Sequence, residues 1–387
     1  MSFKEAAEKR FNNFYDTLIH LSRKIHSHPE TAFEENEAAS LISELLLKAG
    51  FTVEKGVGGL PTALLARRGT KGLRIAVCAE YDALPGIGHA CGHNLIAAMS
   101  VGAAAAVSEM TDDLDFSIFL IGTPAEEIGN GSGKILLLEK GVFSDIHAAL
   151  MVHPSPYDLV LPKMIAASSF EVRYTGKESH ASALPELGIN ALDALTIAQV
   201  SIGLLRQHIL PTARIHGIIT KGGDAPNIVP AFSSARFIIR ENTISELEKL
   251  RSRVYRCFEA GAIASGAQLE IAGGDKPYAE MKHDLEIASL YQKNAESLGR
   301  TFPDLGELAE RAAASTDMGN ISQVIPSIHP FIGIASLPAV NHQPEFAAAC
   351  VSPSAEKAIR DGALAMAWTI LDIALMDQLR DRLQKKK

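Results

Sequence analysis

Apolar residues recur at steps of three or four along the first segment, with Phe11, Phe14, Leu18 and Leu21 on one face, so residues 3–27 are expected to be helical. His26-Ser27-His28-Pro29 closes that segment. Thr31 and Glu34 have capping-box spacing ahead of a second helix that runs to Leu47, with Gly50 just past its end. From residue 51 to 153 the pattern changes to alternation. Apolar runs at Ala63–Ala66, Leu73–Cys78, Phe116–Ile121 and Ala148–Val152 read as buried strands. Leu95–Met110 and Gly133–Leu138 read as the helices between them. Such alternation predicts an α/β domain with a mostly parallel sheet.

Near Lys163 the pattern changes again. Ser168–Tyr174, Arg214–Thr220, Ala235–Arg240 and Gln268–Ile271 read as strands, and Asn190–His208 and Ile244–Ala264 as helices. The order βαββαβ is the split, ferredoxin-like α+β arrangement, and about a hundred residues suffice for it. After Pro277 the first character resumes, with helices at 284–298 and Ala355–Gln378 and a strand at Ile328–Ile334. The expectation is a discontinuous catalytic domain, residues 1–163 and 275–387, with residues 164–274 inserted as a second domain.

Composition narrows the function classes. The 387 residues are 47% apolar and 21% charged with a net charge of −8, which argues against a nucleic-acid phosphate footprint. The one basic run, Lys385-Lys386-Lys387, reads as a solvated tail. Four cysteines, at 78, 91, 257 and 350, are too few and too scattered for a disulfide framework, so a reducing compartment is expected. The opening MSFKEAAEKR lacks the apolar stretch of a signal peptide. The longest nearly apolar run, Leu95–Val107, falls short of the roughly 18 residues of a membrane span. A cytoplasmic protein with neither nucleic-acid nor membrane partners is expected.

Three polar clusters stand directly after predicted strands. Glu80 and Asp82 follow the strand ending at Cys78, Glu126 and Glu127 follow the one ending near Ile121, and His153 follows Ala148–Val152. Ligands of parallel α/β sheets bind beyond the carboxyl ends of the strands, so these groups are expected to converge. A lone glutamate or histidine there is more often a cap or surface group. Several in register, together with His89-x-Cys91-x-His93, point to a metal-dependent hydrolytic centre. Thiolate and imidazole suit zinc, and the admixture of oxygen ligands also admits manganese. Because Glu126 and Glu127 are adjacent, one can ligate while the other faces the attacking water. His26 and His28, at a helix end, read as groups that bond carbonyls. The stretch GNGSGK at 129–134 is not a phosphate loop, since Ile135 stands where Ser or Thr is required, and no G-x-S-x-G elbow surrounds Ser132.

AEYDALPGIGHACGHN at 79–94, TPAEE at 123–127 and MVHP at 151–154 resemble the aminoacylase and carboxypeptidase family of dinuclear metallopeptidases. More narrowly they resemble its amidohydrolase branch, which includes p-aminobenzoyl-glutamate hydrolases and auxin-conjugate hydrolases. ASTDMGNIS at 314–322 and NHQPEFA at 341–347 favour the aminobenzoyl-glutamate hydrolase and dipeptidase side, and Asn94 and Ile96 depart from the auxin-hydrolase pattern. By that resemblance Cys91, His93, Glu127, His153 and His342 fall on ligand positions for two divalent ions, zinc or manganese. Glu126 falls on the general base, and Asp82 on an acid that orients a ligand. Cys91 stands where other branches place a bridging aspartate, which implies a bridging thiolate. The insert resembles the family's dimerisation and lid domain, implying a homodimer, with pairing into a tetramer left open. His180 in GKESHAS matches a histidine that reaches the partner's site and polarises the scissile carbonyl. Asn227 in GGDAPNIVP matches a substrate contact. Arg240 is a candidate clamp for a substrate carboxylate, with a sheet-face ion pair as the alternative. Arg206, His208 and His216 are placed on the same face, where plain surface positions explain them equally well.

The expected function is metal-dependent hydrolysis of a small amide next to a free carboxylate: a dipeptide, an N-acyl amino acid or an aminobenzoyl-glutamate-like compound. Two alternatives stand beside it. One is an aromatic amine aminohydrolase using the same dinuclear centre. The other is a non-enzymatic protein with a structural metal, which would not need a second free glutamate at 126–127.

Overall fold

The computed structural model describes residues 1–306 and 313–385; Lys386 and Lys387 of the basic tail lie outside the described residues. The first helical stretch turns a corner. Helix α1 (Phe3–Asn12) opens on a reciprocal Ser2–Glu5 capping box and is followed by α2 (Tyr15–Ser27). Between them the N–H groups of Asn13 and Phe14 reach only three residues back, to Arg10 and Phe11, and this tightening re-aims the chain. The expected Thr31–Glu34 capping box does not form. Glu34 N–H donates to the Thr31 backbone carbonyl, and helix α3 (Asn36–Lys48) is capped by Glu30, whose two carboxylate oxygens accept from the N–H groups of Glu37 and Ala38, each at 2.9 Å. A carboxylate satisfies two first-turn donors at once and suits the positive end of the helix.

Strands β1 (Thr52–Lys55), β2 (Leu64–Arg68), β3 (Leu73–Ala79), β4 (Phe116–Gly122), β5 (Ala148–Leu150) and β11 (Ser327–Ile328) form one sheet in the order β1-β2-β4-β3-β5-β11. The four strands from β4 to β11 are parallel, whereas β2 runs antiparallel to β4 and β1 antiparallel to β2. Strand β1 has no apolar alternation to reveal it, because its residues are largely solvent-facing. The expected single strand at Ile328–Ile334 is two, β11 and β12 (Phe331–Gly333), separated at His329-Pro330. Strand β12 leaves the main sheet to pair with β6 (His153–Ser155). The expected C-terminal helix is likewise two, Pro353–Leu375 and Asp377–Gln384, meeting at 88° where Met376 is extended.

Helix α4 (His93–Val107) runs through the interior with all of its residues buried. Its side chains are small, and close approach follows. A Cβ at Gly102 would lie 2.9 Å from Leu18 and 3.1 Å from Ala363, and one at Gly362 would lie 2.4 Å from the Met99 sulfur. The long helix Pro353–Leu375 therefore presses directly on α4, and His93 at its first turn is anchored by the whole core. Helix α5 (Gly133–Glu139), between β4 and β5, carries the buried Lys134 in its first turn. No single helix among the described residues is long and apolar enough to cross a membrane.

The inserted segment builds its own hydrophobic core, centred on Phe170, Phe237, Val254 and Phe258. Strands β7 (Ala166–Thr175), β8 (Arg214–Lys221), β9 (Phe232–Glu241) and β10 (Gln268–Gly273) form an antiparallel sheet in the order β10-β7-β9-β8. Helices α6 (Ala191–Leu205) and α7 (Ile244–Ser265) complete the βαββαβ order. Asn190 and Thr243 cap the two helices with their side-chain oxygens. The Asn130 side-chain carbonyl ties the exit of β10 to the body by accepting the N–H groups of Gly274 and Lys276, each at 3.0 Å.

Candidate metal centre

The carboxyl ends of β3, β4 and β5 open into one crevice, and the polar residues that follow them meet there. Asp82, just past β3, is wholly buried. Its Oδ1 and its backbone carbonyl both lie 2.9 Å from His93 Nδ1, and its Oδ2 accepts the N–H of Glu127 at 3.0 Å. Two acceptors at Nδ1 place a proton there and leave Nε2 as the nitrogen facing the crevice; burial opposes the charge, but Asp82, Cys91 and Glu80 outweigh it and raise the imidazole well above its ordinary pKa. That Nε2 is buried without a hydrogen-bond partner among the described residues, 3.4 Å from Glu80 Oε2 and 3.9 Å from Glu127 Oε1. His153 is oriented in the same way: Nδ1 donates to the Pro154 carbonyl at 2.8 Å, and Nε2 stands 3.5 Å from Cys91 Sγ. His342, from far along the chain, enters with φ +71° and its N–H on the Ala90 carbonyl, and its Nε2 lies 3.5 Å from Glu127 Oε1.

Glu126 and Glu127 sit on a turn held from several sides. Ala125 before them is left-handed at φ +60°, a conformation that costs a non-glycine residue about 1 kcal/mol. Tyr278 donates its hydroxyl to the Glu126 carbonyl and accepts the N–H of Gly129. The adjacent carboxyls are driven apart in acidity. Burial, followed by the charges of Glu80, Glu127 and Asp317, pushes Glu126 well above the usual carboxylate range. Burial also opposes ionisation of Glu127, but His342 and His93 outweigh it and hold Glu127 below its ordinary value. Two neighbouring carboxyls with opposed proton affinities are what an acid–base pair of roles requires. Burial raises the Cys91 thiol far above its ordinary pKa and lowers His153 to about 4, so without a cation the site holds a neutral thiol and a neutral imidazole.

The donor atoms suit metal ions. Cys91, His93 and His153 form one set within 4.8 Å of one another, and Cys91, Glu127 and His342 form a second, so the two share the Cys91 sulfur; His93, Glu126 and Glu127 form a third. Soft sulfur, imidazole and carboxylate together are the ligand chemistry of zinc, with the oxygen-bearing set also open to manganese. His93 Nε2 and Glu127 Oε1, buried without a hydrogen-bond partner among the described residues, are the atoms that such ions would satisfy. Glu80, Glu126 and Asp317 make a further acidic set. There the chain supplies its own cation: the buried Lys134 ammonium donates to Asp317 at 2.6 Å and to Glu80.

A cavity of about 560 Å³ opens from these residues, walled by Tyr157, Met164 and Phe331 and bordered by Arg240. Arg240, on β9, donates to Ser315 Oγ at 2.7 Å, and no carboxylate pairs with it among the described residues, so the sheet-face ion pair is not what holds it. His180 and Asn227 are elsewhere. Both are exposed on the inserted segment, joined by the Ala181 N–H on the Asn227 carbonyl, and neither lines this cavity. The N–H groups of Ser182 and Ala183 donate to His180 Nδ1, which leaves its Nε2–H pointing outward. His26 bonds the Ala347 carbonyl and His28 its own helix, as expected of structural histidines. Arg206 likewise bonds the Ile215 carbonyl.

Three further buried residues belong to the crevice without any sequence signal of their own. Lys134 stands in the sequence only as the end of a failed phosphate loop, and Asp317 only as one letter of a motif. His329 is buried against the His153 ring with both nitrogens unpartnered among the described residues. A single Lys, Asp or His carries no local signal; only the fold brings each beside the strand ends.

The profile describing Peptidase family M20/M25/M40 matches residues 76–367. The chain is similar to mouse Xaa-Arg dipeptidase, with 36% identity across 99% of this chain and 91% of that protein. It is also similar to one of the p-aminobenzoyl-glutamate hydrolase polypeptides of Escherichia coli (strain K12), with 33% identity across 69% of this chain and 58% of that one. Among solved structures, an aminobenzoyl-glutamate utilization protein from Klebsiella pneumoniae superposes with a TM-score of 0.73 at 17% identity, covering 94% of this chain and 97% of that one. A dinuclear metal-binding peptidase of family M20 from Bacillus subtilis does so with a TM-score of 0.68 at 23% identity, covering 93% and 99%. At these identities the superpositions speak for the fold, while the profile and the mouse relative settle the lineage: the chain belongs to peptidase family M20/M25/M40.

Proposed function

We propose that the protein is a metal-dependent amidohydrolase that cleaves a small amide bond next to a free carboxylate, in a dipeptide, an N-acyl amino acid or an aminobenzoyl-glutamate-like compound. The observation that carries this reading is the pair of donor sets sharing Cys91, with Glu126 beside them and Arg240 across the same cavity. Cys91, His93, Glu127, His153 and His342 would hold two divalent ions, zinc or manganese, with Cys91 common to both. When bound, these ions would acidify water and polarise the amide carbonyl.

Within that frame each side chain has a task. Asp82 keeps His93 in one tautomer and one orientation. Glu126, whose surroundings favour the protonated form, takes a proton from the attacking water on its carboxylate and gives it to the departing amine nitrogen. Arg240, free of any carboxylate partner among the described residues, receives the substrate carboxylate. Tyr157, Met164 and Phe331 cover the remainder of a substrate and limit the entry of bulk water.

His180 and Asn227 are exposed and do not line their own chain's cavity, and we assign them to the partner's site in a homodimer. Strand β8 supports this. It is an edge of its sheet and exposes Ile218 and Ile219, while the neighbouring helix α6 exposes Val200 and Leu204, 71% accessible. Such an apolar edge favours pairing with a second copy. The outward His180 Nε2–H would then donate to the scissile carbonyl as negative charge develops on it. The four unpaired thiols suit a reducing, cytoplasmic compartment.

The test is Glu126→Gln, with metal content and turnover measured on the same sample. Retained metal with kcat lower by about 10²–10⁴-fold supports the reading, and a fully active variant sinks it. A panel of dipeptides, N-acyl amino acids and aromatic amines then fixes the bond class.

A further inference from the structure

The turn that carries Glu126 and Glu127 is held by a residue outside the proposed ligand set. Glu35 stands at the entry of α3, where a side chain ordinarily caps its own helix, yet it makes no such bond, because Glu30 has taken that place. The Glu35 carboxylate, wholly buried, reaches instead the turn that follows β4. Its Oε1 accepts the N–H of Ala125 at 2.9 Å and that of Phe33 at 3.0 Å, and its Oε2 accepts the hydroxyl of Thr62 at 2.8 Å. Ala125 and Phe33 both have left-handed backbones, at φ +60° and +63°. A single oxygen therefore pins two conformations that L residues rarely adopt. Ala125 immediately precedes Glu126, so the direction in which the glutamates leave β4 is decided at that dihedral.

We propose that Glu35 is a positioning residue for the general base: by holding the Ala125 N–H it fixes the left-handed turn that presents Glu126 to the cavity. The inference rests on the reading of Glu126 as the base. Glu35 itself touches neither the ligand set nor the substrate cavity. A carboxyl group suits the place because its two oxygens supply the acceptors on which two N–H groups and a hydroxyl converge. An apolar side chain there would leave two buried N–H groups without an acceptor.

Wild type, Glu35→Ala, Glu35→Gln and Glu126→Gln are compared, metal-loaded for kinetics and metal-free for amide hydrogen exchange. Glu35→Ala is expected to lower kcat by about 10–100-fold, the scale of a misplaced catalytic group, with KM within about threefold. Exchange in peptides covering residues 123–129 should accelerate at least about tenfold, while α4 and the inserted segment keep wild-type protection. Glu35→Gln should recover at least about half of the loss on a logarithmic scale, since its one oxygen can take both N–H groups while its amide donates to Thr62. Should Glu35→Ala not fold, Glu35→Asp, which withdraws the oxygens by one methylene, replaces it with the same expectations. A kcat within about twofold of wild type, unchanged exchange at 123–129, or exchange that rises equally everywhere overturns the proposal. Glu126→Gln separates the two ideas. Full activity there brings down the base assignment, whereas an inactive Glu126→Gln beside an active Glu35→Ala brings down only the positioning role.

Discussion

Asp82 and His93 are buried and bonded to each other, and Glu126 is buried beside them, before any substrate arrives, whereas His180 and Asn227 lie exposed on the inserted segment and do not line the cavity of their own chain. The first group is fixed by a core that every folded copy contains. The second is fixed only within its own small sheet. If the proposed dimer holds, such a division would separate the chemistry, which one chain holds, from the completion of the site by a second copy. Arg240 stands between the two: it belongs to the insert by its strand but borders the body's cavity.

The comparison yields graded tests. Stripping bound ions with a chelator should abolish turnover and lower the Tm, because the buried donors of the body then lose their partner. More than about a tenth of the activity surviving would break the assignment of the body half. His180→Ala should lower kcat by about 10²-fold with unchanged metal content. Mixing it with Glu126→Gln should restore up to about a quarter of wild-type activity if sites are completed across a dimer, because each mixed pair regains one intact site. No restoration would place His180 in its own chain's site. Arg240→Ala should raise KM by about 10–100-fold for substrates with a free carboxylate and far less for the same substrates amidated. An equal rise for both would remove the clamp.

A further test reads stability, and it concerns the body alone. Burial pushes Glu35 up to about 7, so between its unfolded value and pH 7 the native state binds more protons than the unfolded chain. Stability from this group therefore falls as pH rises through that window, by about 3 kcal/mol at full ionisation. Glu35→Gln should accordingly gain Tm over wild type as pH rises from 5 to 8. Burial lowers His89 to about 3, with the opposite sign: the unfolded chain binds the extra proton, and stability falls as pH drops below about 6.5. Thermal melts across pH 4–8 read both, and a flat difference between Glu35→Gln and wild type would contradict the first.

Much of this architecture is readable from apolar periodicity, because buried strands and amphipathic helices carry their own pattern. The split βαββαβ order and the polar residues at three strand ends are visible for that reason. Strand β1 is not, since its surface residues lack the pattern, and the corner at Asn13 is not, since apolar spacing continues through it. The motifs around Cys91, Glu126 and His153 mark the crevice, but Glu35, Lys134 and Asp317 act through contacts 54 to 185 positions away in the chain, and no local rule points to such partners.

The distance between the Asn341 side chain and the Cys91 carbonyl, residues 250 positions apart that meet at 3.4 Å, has a bearing on biosynthesis. His342 arrives beside it, after the whole inserted segment has been made. During translation the strands bearing Asp82, Glu126 and His153 leave the ribosome long before His342 does, and chains fold largely from the N-terminal side as they emerge. A nascent chain would therefore carry Cys91, His93, Glu127 and His153 without the His342 that completes the second donor set. On the proposed reading, filling of the second set, and with it hydrolytic competence, would be a late event tied to completion of the polypeptide.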